Sequence, residues 1–149
     1  FPPLTEIDLS YIAGFFDGEG SVTICNNNNK VVPRGISPNH ALHVSIGNTD
    51  PSVLLWLHAI FGGSLAYRRP RKDNHRNVAQ WVLGTAKALP FLRIIYPFLR
   101  MKREQVAGAI RYQESKRRRG PERVAKETLE WRELQRERIR SLNGRAHIE

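Results

Sequence analysis

The stretch "YIAGFFDGEG", residues 11–20, sets four small residues (Ala13, Gly14, Gly18, Gly20) and two carboxylates (Asp17, Glu19) among large apolar ones, a mixture that neither a core helix nor a loop requires. Ile12, Phe15 and Phe16 recur at helical spacing, and Asp8 or Ser10 stands ahead of them as a cap, so a helix of about three turns is predicted. Each interior glycine costs such a helix about 1 kcal/mol relative to alanine. The spacing Gly14-x-x-x-Gly18 offsets that cost where a second backbone approaches closely. The chain holds no second copy of the stretch, so the most economical partner is the same helix of another subunit across a twofold axis. Ile12, Ala13, Gly14, Phe15, Asp17 and Gly18 are then the expected dimer interface. The axis would bring two copies of Asp17 and Glu19 together at the negative ends of two helices, a place that attracts cations. Mg²⁺ needs only one or two protein carboxylates when carbonyls, waters and substrate phosphates complete its octahedron. Ions so held clamp the attacking and leaving oxygens of phosphodiester hydrolysis. Taken alone, an acid closing a helix is as readily an ordinary solvated residue.

Charge points the same way from a different direction. The 149 residues carry a net +10, but residues 1–60 hold Lys30 and Arg34 against five acids, a balance of −3 that leaves +13 on the remainder. A clustered basic surface is the electrostatic footprint of a polyanion, nucleic acid in most cases and a heparin-like chain or membrane surface otherwise. Of the 24 basic residues 18 are Arg, which suits bidentate contact with phosphate and guanine, although a GC-rich or heat-adapted source gives the same bias. Cys25 is the only cysteine, which rules out an internal disulfide framework and a Cys-rich zinc centre. No leader-like terminus and no run of about 18 apolar residues is visible, so a soluble, intracellular protein without membrane contact is expected, in a prokaryotic cytoplasm or nucleoid or in an organelle.

Periodicity outward from the first helix gives a repeating order. "SVTICN" alternates as a strand, and the Asn-, Gly- and Pro-rich residues 26–39 lead to a second strand, "HALHVSIG", with Leu42, Val44 and Ile46 on one side and His43 and Ser45 on the other. "TDPSVLLWLHAIFGG" combines a Thr or Asp cap, an early proline, an apolar stripe and a glycine stop, all signs of a helix. "SLAYRRPR" and "NVAQWVLGT" are predicted as two more strands, followed by "KALPFLRIIYPFL" and the helix "RMKREQVAGAIRYQESKRRR". The order helix, strand, strand, helix, strand, strand, helix packs helices on one face of a four-stranded antiparallel sheet, an α+β fold in one domain spanning 1–149 with its core at about 8–115. A basic extension at about 120–145 is predicted as one or two amphipathic helices after the break at Gly120 and Pro121. The other face of the sheet would present Thr23, Cys25, His43, Ser45, Arg69, Arg71, Gln80 and either Trp81 or Val82. Such side chains suit base edges in a DNA major groove, and they equally suit plain water.

The residues 12–20, "IAGFFDGEG", resemble the nine-position signature of the LAGLIDADG homing endonucleases. "TDPSVLLWLHAIFGGSL" and "YPFLRMKREQ" are similar to that family's helix after the second strand and its "PFL-x-x-K" segment, so the resemblance covers residues 8 to about 115. A single motif in a chain of this length is similar to the homodimeric branch. The resemblance implies an αββαββα fold whose curved sheet forms a saddle on double-stranded DNA. It implies hydrolysis of one phosphodiester per strand across the minor groove of a long pseudo-palindromic target, leaving short 3′ overhangs, in support of intron or intein homing. It implies Glu19 and the carbonyl of Gly18 as ligands of Mg²⁺, with Mn²⁺ substituting and Ca²⁺ permitting binding without cleavage. The family more often has Asp where Glu19 stands. Lys102 matches a lysine that polarises the attacking water or stabilises charge at phosphorus. At the family's polar position near the end of the second strand this chain offers Gly47, which has no side chain, and Asn48, which is assigned to the water network. DNA contacts are expected from Asn27, Asn29, Arg34, His43, Ser45, Arg69, Arg71, Gln80, Arg100 and Lys102. The rival readings are an RNA maturase that binds intron RNA and a non-catalytic DNA-binding protein on the same scaffold. The five histidines form no His-Asn-His cluster.

Overall fold

The computed structural model describes residues 1–26, 40–69, 77–116 and 125–145. Helix α1 (Glu6–Glu19) runs directly into strand β1 (Gly20–Asn26), which is followed by β2 (His40–Asn48) and α2 (Ser52–Phe61). Then come β3 (Ser64–Arg68), β4 (Val78–Leu83), α3 (Thr85–Ile95), a 3₁₀ turn at Tyr96–Phe98, α4 (Arg103–Ser115) and α5 (Lys126–Arg145). The strands form one antiparallel sheet in the order β1-β2-β4-β3. The α+β architecture expected from the sequence is the one observed, and the basic extension is a single helix.

Alternation along each strand divides the sheet into a covered and an uncovered face. Val22, Ile24, Leu42, Val44, Ile46, Ala79, Trp81 and Leu83 are buried, and they pack with Ile12, Phe16, Leu54, Leu57, Phe61, Phe91 and Leu92 of the helices. Trp81, one of the two alternatives for the uncovered face, belongs to this core instead. It is fully buried among Phe61 and Phe91, and its Nε1 donates to the Gly62 carbonyl at 2.8 Å. An indole of that size stabilises most where its ring is buried and its one donor is satisfied. Val82 takes the uncovered position, opposite Ser45 on one side and Ser64 on the other.

The cap of α1 lies earlier than the sequence suggested. Thr5 occupies it: its Oγ1 accepts the Asp8 N–H at 3.1 Å, while Asp8 Oδ2 accepts the Thr5 N–H at 3.0 Å. Asp8 therefore completes a reciprocal capping box from the third helical position rather than serving as the cap itself. A hydrogen bond from the Thr5 hydroxyl to Asp8 Oδ2 at 2.7 Å, joined by the one from the Thr5 N–H, holds the Asp8 carboxyl below its ordinary pKa. At α2, Asp50 Oδ1 accepts the Ser52 N–H, and Gly62 and Gly63, at φ +72° and +85°, end the helix in a conformation that side chains rarely adopt. Helix α5 lies along the edge strand β1. Asn143 Nδ2 donates to the Val22 carbonyl, and Glu133 accepts from Asn26 and from the buried His40.

The glycines of the opening motif have unequal duties. A Cβ on Gly20 would lie 2.3–2.8 Å from the Phe16 ring, whereas Gly14 and Gly18 have nothing within 4 Å. Gly20→Ala is expected to destabilise the subunit by about 1–3 kcal/mol through overpacking. Gly14→Ala and Gly18→Ala, measured alongside it by urea denaturation of dilute protein, are expected to be neutral or stabilising by up to about 1 kcal/mol.

Candidate active site at the end of the first helix

Helix α1 delivers its two acids into different surroundings within three residues. Asp17 is 7% exposed. Its Oδ2 accepts the Arg100 N–H at 2.8 Å and its Oδ1 accepts the Lys102 N–H at 3.0 Å. Both oxygens are thus committed to the backbone that follows the 3₁₀ turn. Glu19 is exposed and makes no hydrogen bond or ion pair among the described residues. The free carboxylate of the pair is therefore the second one, and it stands at the negative end of the helix dipole.

Lys102 closes the same structure from the opposite direction. Its Nζ donates to the carbonyls of Phe16 and Asp17 at 3.2 and 2.8 Å; the Phe16 carbonyl also accepts the Gly20 N–H, whereas that of Asp17 is among those the helix end leaves over. Burial pulls the ammonium below its ordinary pKa, while the negative charges of Asp17 and Glu19 push it back up. An ammonium has three N–H donors, so one remains beside Glu19 for a further acceptor. The ring of Phe16 lies under the ammonium at 5.9 Å, which favours the cation further. Arg100 is exposed next to it.

The helix surface beside the site divides the expected dimer interface. Ile12, Ala13 and Asp17 are buried inside the subunit and cannot meet a partner; helical geometry points them at the sheet and at the turn before α4. Gly14 and Gly18 are exposed, Phe15 is half-buried, and the same stripe continues through Tyr11 and Ile7, which are 53% and 82% exposed. Tyr11 stacks on Phe15 and meets Trp56 of α2 edge to face. Ser10, Gly14, Pro97, Phe98, Arg100 and Arg103 line an open groove of about 460 Å³ along this stripe. Ile7 and Tyr11 escape a reading centred on the nine-position motif, although they continue its four-residue spacing.

On the uncovered sheet face the structure brings together Thr23, Cys25, His43, Ser45 and Gln80. Thr23 pairs with His43 and Ser21 with Ser45, whose hydroxyls are 2.9 Å apart, and Cys25 Sγ lies 3.4 Å from His43 Nδ1. Arg69 lies past the end of β3, whereas Arg68, not singled out in the sequence, takes the uncovered position opposite Val78. Which of two adjacent arginines faces outward depends on strand register, which the sequence does not fix. Asn27, Asn29, Arg34 and Arg71 lie outside the described residues. Asn48 ends β2 on the same side as Val44 and Ile46, and its Oδ1 accepts the Asp50 N–H at 2.9 Å, which ties the amide to the turn before α2.

No group of three or more His, Cys, Asp or Glu side chains arranged to hold a metal ion occurs among the described residues. At this site, among the described residues, one free carboxylate, Glu19, stands at the open end of a helix. That donor set fits an ion of the Mg²⁺ type, which takes few protein ligands and completes its shell with water and phosphate oxygen.

No protein-family model and no curated protein sequence matches the chain. Solved structures do. The homing endonuclease I-CvuI, solved with uncleaved target DNA in the presence of 2 mM Mg, superposes with a TM-score of 0.68 over 92% of this chain and 82% of its own, at 14% identity. The archaeal intron-encoded homing endonuclease I-Vdi141I, complexed with DNA, gives 0.58 over 73% and 68% at 19% identity. The group I intron-encoded I-CeuI, also complexed with DNA, gives 0.55 over 76% and 57% at 16% identity. The likeness is one of fold: this chain has the LAGLIDADG homing endonuclease fold.

The two acids are separable by stability. Asp17→Asn removes one acceptor from two backbone N–H groups and is expected to cost about 1–3 kcal/mol in denaturant unfolding. Glu19→Gln, at an exposed position without partners, is expected to stay within about 0.5 kcal/mol of the parent.

Proposed function

We propose that this chain, folded as a LAGLIDADG homing endonuclease, is a site-specific DNA endonuclease that acts as a homodimer. The observation that carries the reading is the placement of an exposed, unpaired Glu19 beside the partly committed Lys102, at the end of a helix whose glycine stripe is bare. A carboxylate with no structural partner and an ammonium with one spare donor are the groups that phosphodiester hydrolysis needs.

The sheet face supplies DNA contacts from His43, Ser45 and Arg68, with Arg to guanine as a favoured pairing. Arg100 and the basic helix α5 neutralise phosphates. Two α1 helices meet along Ile7, Tyr11, Gly14, Phe15 and Gly18, where absent side chains let the backbones approach. That contact brings both Glu19 residues to the twofold axis, one for each strand of a near-palindromic duplex. Glu19, with the Gly18 carbonyl, would hold Mg²⁺, which supplies a Lewis acid and an activated water. The spare N–H of Lys102 stabilises negative charge on the phosphoryl oxygen as water adds and the leaving oxygen departs. Because the ammonium is tied to the carbonyls of Phe16 and Asp17, it needs no reorganisation as that charge develops. Asn48 can orient water through Nδ2 and the remaining lone pair of Oδ1. Homing of an intron or intein is the biological setting that such an activity would serve.

Sequencing the ends released from a randomised duplex library, with and without Mg²⁺, tests the activity. The wild type is expected to give metal-dependent staggered breaks at one shared sequence, and Glu19→Gln to select the same DNA while cutting it on the order of 10³-fold more slowly. Selection without cleavage by either protein under any divalent ion would leave a maturase or a DNA-binding protein. Gly18→Leu, which has open space in the subunit, is expected to keep a folded protein and convert a dimer to a monomer in sedimentation velocity.

A further inference from the structure

From the strand register we infer that Gln80 is a positioning residue of the hydrolytic centre, holding the attacking water from β4 across the gap left by Gly47; this rests on the endonuclease reading above. Gly20 pairs with Ile46, and Glu19, the last residue of α1, immediately precedes it, next to the end of β2 where Gly47 stands. Gly47 in turn pairs with Gln80, and Gln80 with Ala66. Gly47, Gln80 and Ala66 thus form one row across the sheet, with Glu19 at the helix end that leads into the neighbouring strand. Gly47 and Gln80 lie on neighbouring strands, about 4.8 Å apart. The bare Gly47 leaves room for a water beside the Gln80 amide.

The other members of the row and its surroundings favour this use. A Cβ on Gly47 would meet only the Ala79 carbonyl and Val78 Cγ1, each at 3.7 Å, so the space above it is open. Ala66 brings only a methyl. Gln80 is half-buried on the uncovered face, and its amide makes no hydrogen bond among the described residues. An amide both donates and accepts, so its oxygen can accept a hydrogen bond from the water while its NH₂ donates to a phosphate oxygen. Asn48, the sequence candidate for this task, has its oxygen bound to the Asp50 N–H and lies on the alternate side of β2.

The experiment uses a duplex selected by the wild-type dimer from a randomised library in Ca²⁺, then cleaved in Mg²⁺ with protein in excess. Gln80→Met keeps length and packing but removes the amide. It is expected to lower the single-turnover rate at saturation about 10–100-fold, as loss of an orienting partner does, with Kd in Ca²⁺ unchanged within about twofold. Adding Gly47→Gln to that variant, which the open space permits, is expected to restore most of the rate. A merely structural role would not be rescued from the neighbouring strand. A wild-type rate for Gln80→Met overturns the inference and leaves the endonuclease reading standing. So does a changed base preference or weakened Kd with an unchanged saturating rate, which would make Gln80 a base reader. A wild type that cuts no duplex overturns both. If the methionine variant fails to bind, Gln80→Ala is judged by the same two quantities.

Discussion

The structure depends on one clasp. The Asp17 carboxylate takes the backbone N–H groups of Arg100 and Lys102, and the Lys102 ammonium returns to the carbonyls of Phe16 and Asp17. Four hydrogen bonds join the end of the first helix to a turn more than 80 residues away in sequence. Each partner solves a problem for the other. The helix end has carbonyls without partners, the turn before α4 has N–H groups without partners, and one buried carboxylate and one ammonium satisfy both. The clasp also fixes Glu19 and the last free proton of Lys102 relative to each other, which flexible loops would not do.

A second constraint follows from the helix that enters the clasp. Ile12, Ala13 and Phe16 are fully buried against the sheet, so only the opposite side of α1 is left for contact outside the subunit. On that side Ile7 and Tyr11 are apolar and exposed, and Gly14 and Gly18 are bare. A helix pays for two such glycines with conformational entropy, and nothing within the subunit returns it. Gly20, by contrast, is required internally, because the Phe16 ring occupies the place of its side chain. One motif therefore contains glycines with two distinct physical causes, close approach within the subunit and openness outside it.

The sequence disclosed the order of elements because periods of 3.6 and 2 residues alternate clearly along it, and it disclosed Glu19 and Lys102 through a short, specific motif and a second short segment. It could not disclose what depends on register. Gln80 and Trp81 are adjacent, and only the pairing of Gly47 with Gln80 and of Ile46 with Trp81 decides which is core and which is surface. The same ambiguity hid Arg68 behind Arg69. The cap at Thr5 was missed because Asp8 is a good cap by type, and only the hydrogen bonds reveal it as the third residue of a capping box. Treating the whole motif as interface placed Ile12 and Ala13 outside the subunit, although a helix three turns long must also bury one side.

The uncovered sheet face is available because the sheet is protected elsewhere. An exposed edge strand invites pairing with other chains. At β1 the edge is occupied by α5, where Asn143 bonds the Val22 carbonyl and Glu133 gathers Asn26, His40 and Arg136. Burial alone would raise the Glu133 pKa, but the hydrogen bonds from His40 and Arg136 outweigh it and hold the carboxyl below its ordinary value. Its contribution to docking α5 is therefore full at neutral pH and fades only as acid protonates it. At β3 the strand is short, five residues, and ends in Arg68, a charge that discourages strand addition. With both edges discouraged from pairing, the polar face between them stays uncovered. At Gly47 the sheet omits a side chain, in the row that continues through the amide of Gln80 and the methyl of Ala66.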